Sequence, residues 1–260
     1  MPTEENRLAR VARRLVESKG AVAFTGAGVS VESGIPDFRS AGGLWDKFDP
    51  MEYASIDSFK RNPEKVWEML REMDEMVTGA EPNPAHKGLA RLEELGVLDG
   101  VITQNIDNLH QRGGSKVVVE FHGNGERLLC LECGATDSAT EARARWKDEF
   151  PPRCSECGSI LKPDVVFFGE PIPPQASAEA MRLAQKAPVL LSIGTSVLVA
   201  PASYIPVVAK KAGALIVEIN REHTVLTDEL VDEPLRGRAG RLVPLLVEAV
   251  ERELSDSQDS

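Results

Sequence analysis

Six short apolar runs, residues 21–25, 100–103, 117–121, 164–168, 189–193 and 214–219, each stop at a glycine, an amide or a histidine. Runs this short and continuous suit strands buried on both faces. Helical patterns at 85–95, 176–185, 202–211 and 242–251 fall between or after them. Leu8, Val11, Ala12, Leu15 and Val16 put a further helical stripe on residues 4–19, closed by Gly20. Strands alternating with helices require right-handed crossovers, so the chain is predicted to be an α/β protein with a mainly parallel sheet and helices on both faces.

Two segments break the rhythm. Residues 46–80 read as helices interrupted at Pro50 and Pro63, with no strand, and residues 123–163 hold all four cysteines and little apolar periodicity. Both read as insertions that together form a smaller module. The polar tail, residues 254–260, reads as frayed.

Composition narrows the function classes. A hydrophobic content of 42% with 27% charged residues is that of a globular protein. With 41 acidic against 30 basic residues the net charge is −11, which argues against broad electrostatic binding to nucleic acid. No stretch reaches eighteen apolar residues, and the charged first twenty residues lack the apolar core of a signal peptide. The expectation is a soluble cytoplasmic protein without membrane association.

In an open parallel sheet, ligands bind beyond the carboxyl ends of the strands. Gly26, Ala27 and Gly28 follow the first run, and their small side chains let backbone approach a pyrophosphate. The third glycine of a dinucleotide fingerprint would fall at position 31, which is Val31, so an ordinary dehydrogenase fits poorly. Gln104, Asn105, Ile106 and Asp107 follow the second run, and their amides suit a carboxamide or ribose hydroxyls. His122, at the end of the third run beside Gly123, is placed as a general base, although one such histidine alone is more often structural. Gly194, Thr195 and Ser196, then Asn220, Arg221 and Glu222, close two further runs. Any one of these is ordinary turn chemistry. Five together imply a nucleotide-bearing ligand across the sheet's carboxyl edge.

Cys130 and Cys133, then twenty residues, then Cys154 and Cys157 give the spacing of a four-thiolate zinc site, with Gly134 and Gly158 completing the turns. Four sulfurs leave no open position, so the zinc is expected to be structural. A redox dithiol and a nucleic-acid-binding zinc ribbon are the alternatives, and the knuckles lack the basic and aromatic interleaving of a ribbon.

Taken in order, GAGVSVESGIPDFRS (26–40), TQNIDNLH (103–110), FHGN (121–124), the paired cysteines, KPDVVFFGE (162–170), GTS (194–196) and INRE (219–222) closely resemble the sirtuins, NAD-dependent protein-lysine deacylases. The resemblance implies a Rossmann-like domain built from residues 1–45, 81–122 and 164–260. It also implies a small domain formed by the helical insertion 46–80 and the zinc-binding insertion 123–163, with a cleft between the two. Gly26, Ala27, Gly28, Asp37, Phe38, Arg39 and Trp45 would belong to the cofactor loop. Gln104, Asn105, Ile106 and Asp107 would meet nicotinamide and its ribose. Gly194, Thr195, Ser196, Asn220, Arg221, Glu222 and Ala239 would hold the adenosine half. Val166 and Phe168 would line an acyl-lysine tunnel, although a plain strand core is the simpler reading of that run.

The activity implied is deacylation of acyl-lysine proteins or peptides with NAD consumed as co-substrate. His122 and Asn105 would be catalytic, His122 as the base on a ribose hydroxyl. Nicotinamide, O-acyl-ADP-ribose and free lysine would be the products. Mono-ADP-ribosyl transfer from the same NAD site is the alternative. In the branch of the family that prefers succinyl and malonyl groups, a tyrosine and an arginine three apart bind the acyl carboxylate. Leu70 and Met73 align there, which predicts neutral acyl groups, because a buried carboxylate without a partner is costly.

Overall fold

The computed structural model describes residues 3–38 and 43–258. Its main sheet is parallel throughout and has six strands: β1 (Ala21–Thr25), β2 (Leu98–Thr103), β3 (Val118–Glu120), β7 (Val189–Ile193), β8 (Leu215–Asn220) and β9 (Glu233–Arg236). Their order, β3-β2-β1-β7-β8-β9, reverses direction at β1, so the topological switch point lies between β1 and β7.

Both faces of the sheet are covered. Along β1, Ala21 and Ala23 join one apolar cluster and Val22 and Phe24 the other, as strand alternation requires. The first cluster is closed by the helices Glu4–Ser18, Pro84–Glu94 and Ala239–Gln258, the second by Pro174–Lys186 and Tyr204–Lys211. The first helix shows why the sequence folds so. Thr3 caps it by accepting the amide of Asn6, its buried stripe is Leu8, Val11, Ala12 and Leu15, and Lys19 and Gly20 turn left-handed to end it.

A second sheet of three antiparallel strands, β4 (Gly123–Leu129), β5 (Thr136–Ser138) and β6 (Lys162–Val165), runs in the order β5-β4-β6. The run at 164–168 therefore does not join the parallel sheet. Its ladder ends at Val165, and Phe168 instead donates its amide to Ala54 O and accepts that of Ile56. Residues 46–80 are helical, and Pro50 and Pro63 open helices instead of interrupting them: Pro50–Tyr53 is capped by Asp49 and Pro63–Thr78 by Asn62. A third apolar cluster joins Trp67, Met69 and Leu70 of that long helix to Leu128, Cys130, Cys154, Leu161 and Phe167.

The tail differs from expectation as well. The last helix continues to Gln258, because Leu254 still packs on the core and prolongs the apolar stripe beyond Val250. Among the described residues no helix is long and apolar enough to cross a membrane.

Candidate active site

The switch point is closed by backbone packed on backbone. Gly28 donates its amide to Gly194 O at 2.8 Å and Gly26 donates to Ile193 O at 3.2 Å, so the turn after β1 lies against the turn after β7. Gly194 is left-handed, with φ +59°. From here a cavity of about 790 Å³ runs along the carboxyl edge of the sheet to the second sheet.

Every nucleotide, substrate and base residue singled out from the sequence lines this cavity, apart from Arg39, which lies outside the described residues. Gly26, Ala27, Gly28, Gly194, Thr195 and Ser196 border the switch point, and Asn220, Arg221, Glu222 and Ala239 line the side beyond β8. Asp37, Phe38, Trp45, Ile106, Val166 and Phe168 line it too. Phe38 stacks at 5.2 Å from Trp45, and Trp45 at 6.3 Å from Phe168, which forms an aromatic wall.

The amide cluster after β2 is held by a buried polar network. Gln104 Nε2 donates to Thr195 Oγ1 at 2.8 Å, bridging two strand ends across β1. Asn105 Nδ2 donates to Ser30 Oγ at 3.1 Å, and Ser30 donates onward to Asp107 Oδ2 at 2.7 Å. His86 Nδ1 accepts the amide of Asn83, so its Nε2 carries the proton, 3.4 Å from Ser30 Oγ. Burial holds the His86 pKa down at about 4, so the ring is neutral.

His122 also has a defined tautomer. Its Nδ1 lies 3.1 Å from the carbonyl of Gln104, which can only accept, so Nδ1 is the protonated nitrogen. Nε2 then carries the lone pair, with no hydrogen bond among the described residues. Burial shifts the His122 pKa below its ordinary value, only partly opposed by the Gln104 contact. A neutral imidazole held by its other nitrogen is the arrangement a general base requires.

Ser30 and Glu32, inside the 26–40 motif but given no role of their own, line the cavity too, and the stretch 198–201 and Thr224 escaped the sequence reading. Glu218, behind the loop after β8, did leave a signal as the only acid in the run LIVEIN. It is 1% exposed and accepts from Arg236, Thr224 and Thr227, fixing that loop from beneath.

The four cysteine sulfurs lie within 4.8 Å of one another. Zinc–sulfur bonds of about 2.3 Å imply sulfur–sulfur distances near 3.8 Å in a tetrahedron. Cys130 and Cys157 lie at 3.5 Å and Cys133 and Cys154 at 3.6 Å, so the thiols are positioned to hold one zinc ion. The two knuckles match: Gly134 donates to Cys130 O and Gly158 to Cys154 O, at φ +76° and +78°.

Fold and cleft together define a Rossmann-like protein with a nucleotide-sized groove at its switch point. The family model described as the Sir2 family matches residues 26–201. The "NAD-dependent protein deacylase 2" of Pyrobaculum aerophilum is 47% identical over 95% of this chain and 98% of its own length. The "NAD-dependent protein deacylase" of Pyrococcus abyssi is 45% identical over 94% and 98%. Among solved structures, a Sir2 homolog–NAD complex superposes with a TM-score of 0.87 at 43% identity, covering 94% of each chain. Sir2Af2 bound to a myristoylated histone peptide superposes at 0.82 with 40% identity, covering 97% of this chain and 99% of that one. The chain belongs to the Sir2 family.

Proposed function

We propose that this protein is an NAD-dependent protein-lysine deacylase that consumes NAD and one water and releases nicotinamide, O-acyl-ADP-ribose and free lysine. The observation that carries the reading is His122: a half-buried neutral base whose Nε2 has no hydrogen bond among the described residues, lining the same cavity as the strand-end glycines and the apolar Val166 and Phe168. The Sir2 homolog–NAD complex and the acyl-peptide complex of Sir2Af2 support both halves of the cleft.

Bound NAD would supply an activated ribose carbon whose bond to nicotinamide is broken. The residues around it divide the work. Gly26, Ala27, Gly28 and Arg39 would meet the phosphates. Gly194, Thr195, Ser196, Asn220, Arg221, Glu222 and Ala239 would hold the adenosine half. Gln104, Asn105, Ile106 and Asp107 would orient nicotinamide and its ribose, with Asp37, Phe38 and Trp45 closing over it. Held by the Gln104 carbonyl, His122 would take a ribose hydroxyl proton on Nε2, in the cavity that the Phe38, Trp45 and Phe168 wall also lines. Val166 and Phe168 would flank the acyl-lysine.

The apolar Leu70, Met73 and Val77 also line the cavity, which supports neutral acyl groups over succinyl or malonyl. Cys130, Cys133, Cys154 and Cys157 would hold the zinc as a structural crosslink.

We assign residues 1–45, 81–122 and 164–260 to a nucleotide-binding domain and 46–80 with 123–163 to a small domain, with β6 straddling the second junction. The location we favour is the cytoplasm, and the partners acyl-lysine proteins without broad nucleic-acid or membrane binding, in keeping with the net charge of −11.

The test is the fate of adenine-labelled NAD given to the purified protein with an acetyl-lysine peptide. Label recovered as O-acetyl-ADP-ribose supports deacylation. Label recovered on protein, with the peptide still acetylated, would make ADP-ribosyl transfer the activity.

A further inference from the structure

Lys162 is a buried lysine that the proposed chemistry does not use. Its side chain is 3% exposed, and its ammonium has three oxygen partners: Val165 O at 2.6 Å, Pro163 O at 3.2 Å and Glu170 Oε2 at 2.9 Å. The Phe167 ring lies 4.3 Å away. Glu170 Oε2 also accepts the Phe167 amide at 2.8 Å, and the Glu170 amide donates back to Phe167 O. One ion pair thus reaches backbone groups of Pro163, Val165 and Phe167 from inside the turn.

The strand ladder does not fix that turn. Between β4 and β6 the register jumps, because Leu128 faces Pro163 whereas Gly123 faces Val165, so five residues on one strand span two on the other. After Val165 the ladder ends, and Val166 donates its amide to the carbonyl of His122 at 2.9 Å. Phe168 is tied to Ala54 and Ile56 of the helical segment. The segment carrying Val166 and Phe168 is therefore strung between the peptide of His122 and the helices, with the ammonium holding its start.

We infer that Lys162, paired with Glu170, is a positioning residue that sets the 163–168 backbone as the wall against which acyl-lysine is held. This rests on the deacylase reading for the identity of the substrate. A pair that served only to fill space would be replaceable by an apolar side chain of similar volume with little loss or even a gain in stability. Lysine is used here because its three donors bind three acceptors that an apolar side chain would leave unsatisfied.

The test compares wild type with Lys162→Met, Lys162→Arg and Glu170→Gln by amide hydrogen exchange and by steady-state kinetics with an acetyl-lysine peptide and NAD. In Lys162→Met the amides of Val166, Phe167 and Phe168 should exchange faster by about tenfold or more, while those of β1 and β7 keep their protection. The peptide KM should rise about tenfold with the NAD KM within about twofold. Lys162→Arg, which keeps the charge, should recover part of both effects. Glu170→Gln, nearly isosteric, should move both in the same direction and supplies the measurement if Lys162→Met does not fold. Wild-type exchange at these amides in both Lys162→Met and Glu170→Gln, or in Glu170→Gln if that alone folds, would overturn the inference. A wild type that leaves the peptide acetylated in the presence of NAD would overturn the deacylase reading instead, and the exchange data would still decide whether the pair orders the segment.

Discussion

The contact between Gly28 and Gly194 can be tested by adding one methyl group on either side. An alanine Cβ at position 194 would lie 2.4 Å from Val29 N and 2.6 Å from Gly28 C. Ordinary contacts are about 3.5–4.0 Å, so the two turns must part by about 1 Å. Overpacking of this kind costs about 1–3 kcal/mol. At φ +59° an alanine also pays the left-handed penalty of about 1–2 kcal/mol, so Gly194→Ala should cost about 2–5 kcal/mol. At position 28 the added Cβ would lie 2.7 Å from Gly194 O and 2.8 Å from its Cα, but φ there is not left-handed. Gly28→Ala should therefore cost only the overpacking, about 1–3 kcal/mol. Thermal and urea unfolding would read the difference, with Tm for Gly194→Ala lower by on the order of 5–15 °C. Both variants should also bind ADP-ribose more weakly, because both turns line the cavity. A Gly194→Ala protein within about 2 °C of wild type, or one no less stable than Gly28→Ala, would refute the close-packed switch point.

Three further outcomes are expected. Because burial lowers the His122 pKa below 6.5, the base is neutral at pH 7 and is lost only on acidification; the acid limb of kcat/KM should have its midpoint below 6.5, and one above it would contradict the assignment. Removing zinc with a chelator, or by Cys154→Ser, should release about one zinc per chain by elemental analysis and shift tryptophan emission, because Cys130, Cys154, Trp67 and Trp146 share one cluster. Unchanged emission in a zinc-free protein would separate the metal from that cluster. The double variant Leu70→Tyr with Met73→Arg should raise the succinyl-to-acetyl ratio of kcat/KM at least about tenfold, and an unchanged ratio would mean the acyl end of the cleft lies elsewhere.

How much of this could be read from the residues depended on how local the signal was. β1 and β7 coincide with their apolar runs because every residue in them is buried. β9, with the sequence EPLR, lies at the sheet edge, where proline and charge are tolerated and the apolar signal vanishes. The run at 164–168 looked like one strand, yet it divides at Val165 where the Lys162 and Glu170 pair and the helical segment take over its backbone. Strand-end glycines and amides were legible because α/β chemistry gathers at one edge. The stretch 198–201, LVAP, was not, because its residue types mark no ligand chemistry, and it lines the cavity by following Ser196. Leu70 and Met73, placed by alignment alone, do line it.

The most direct test of the account compares wild type with His122→Ala for deacetylation of an acetyl-lysine peptide, alongside ADP-ribose affinity. The account predicts NAD-dependent deacetylation by the wild type, a loss of kcat/KM of about 10²-fold or more in the variant, and ADP-ribose binding within about threefold of wild type. Comparable deacetylation by the two proteins would show that His122 is not the base.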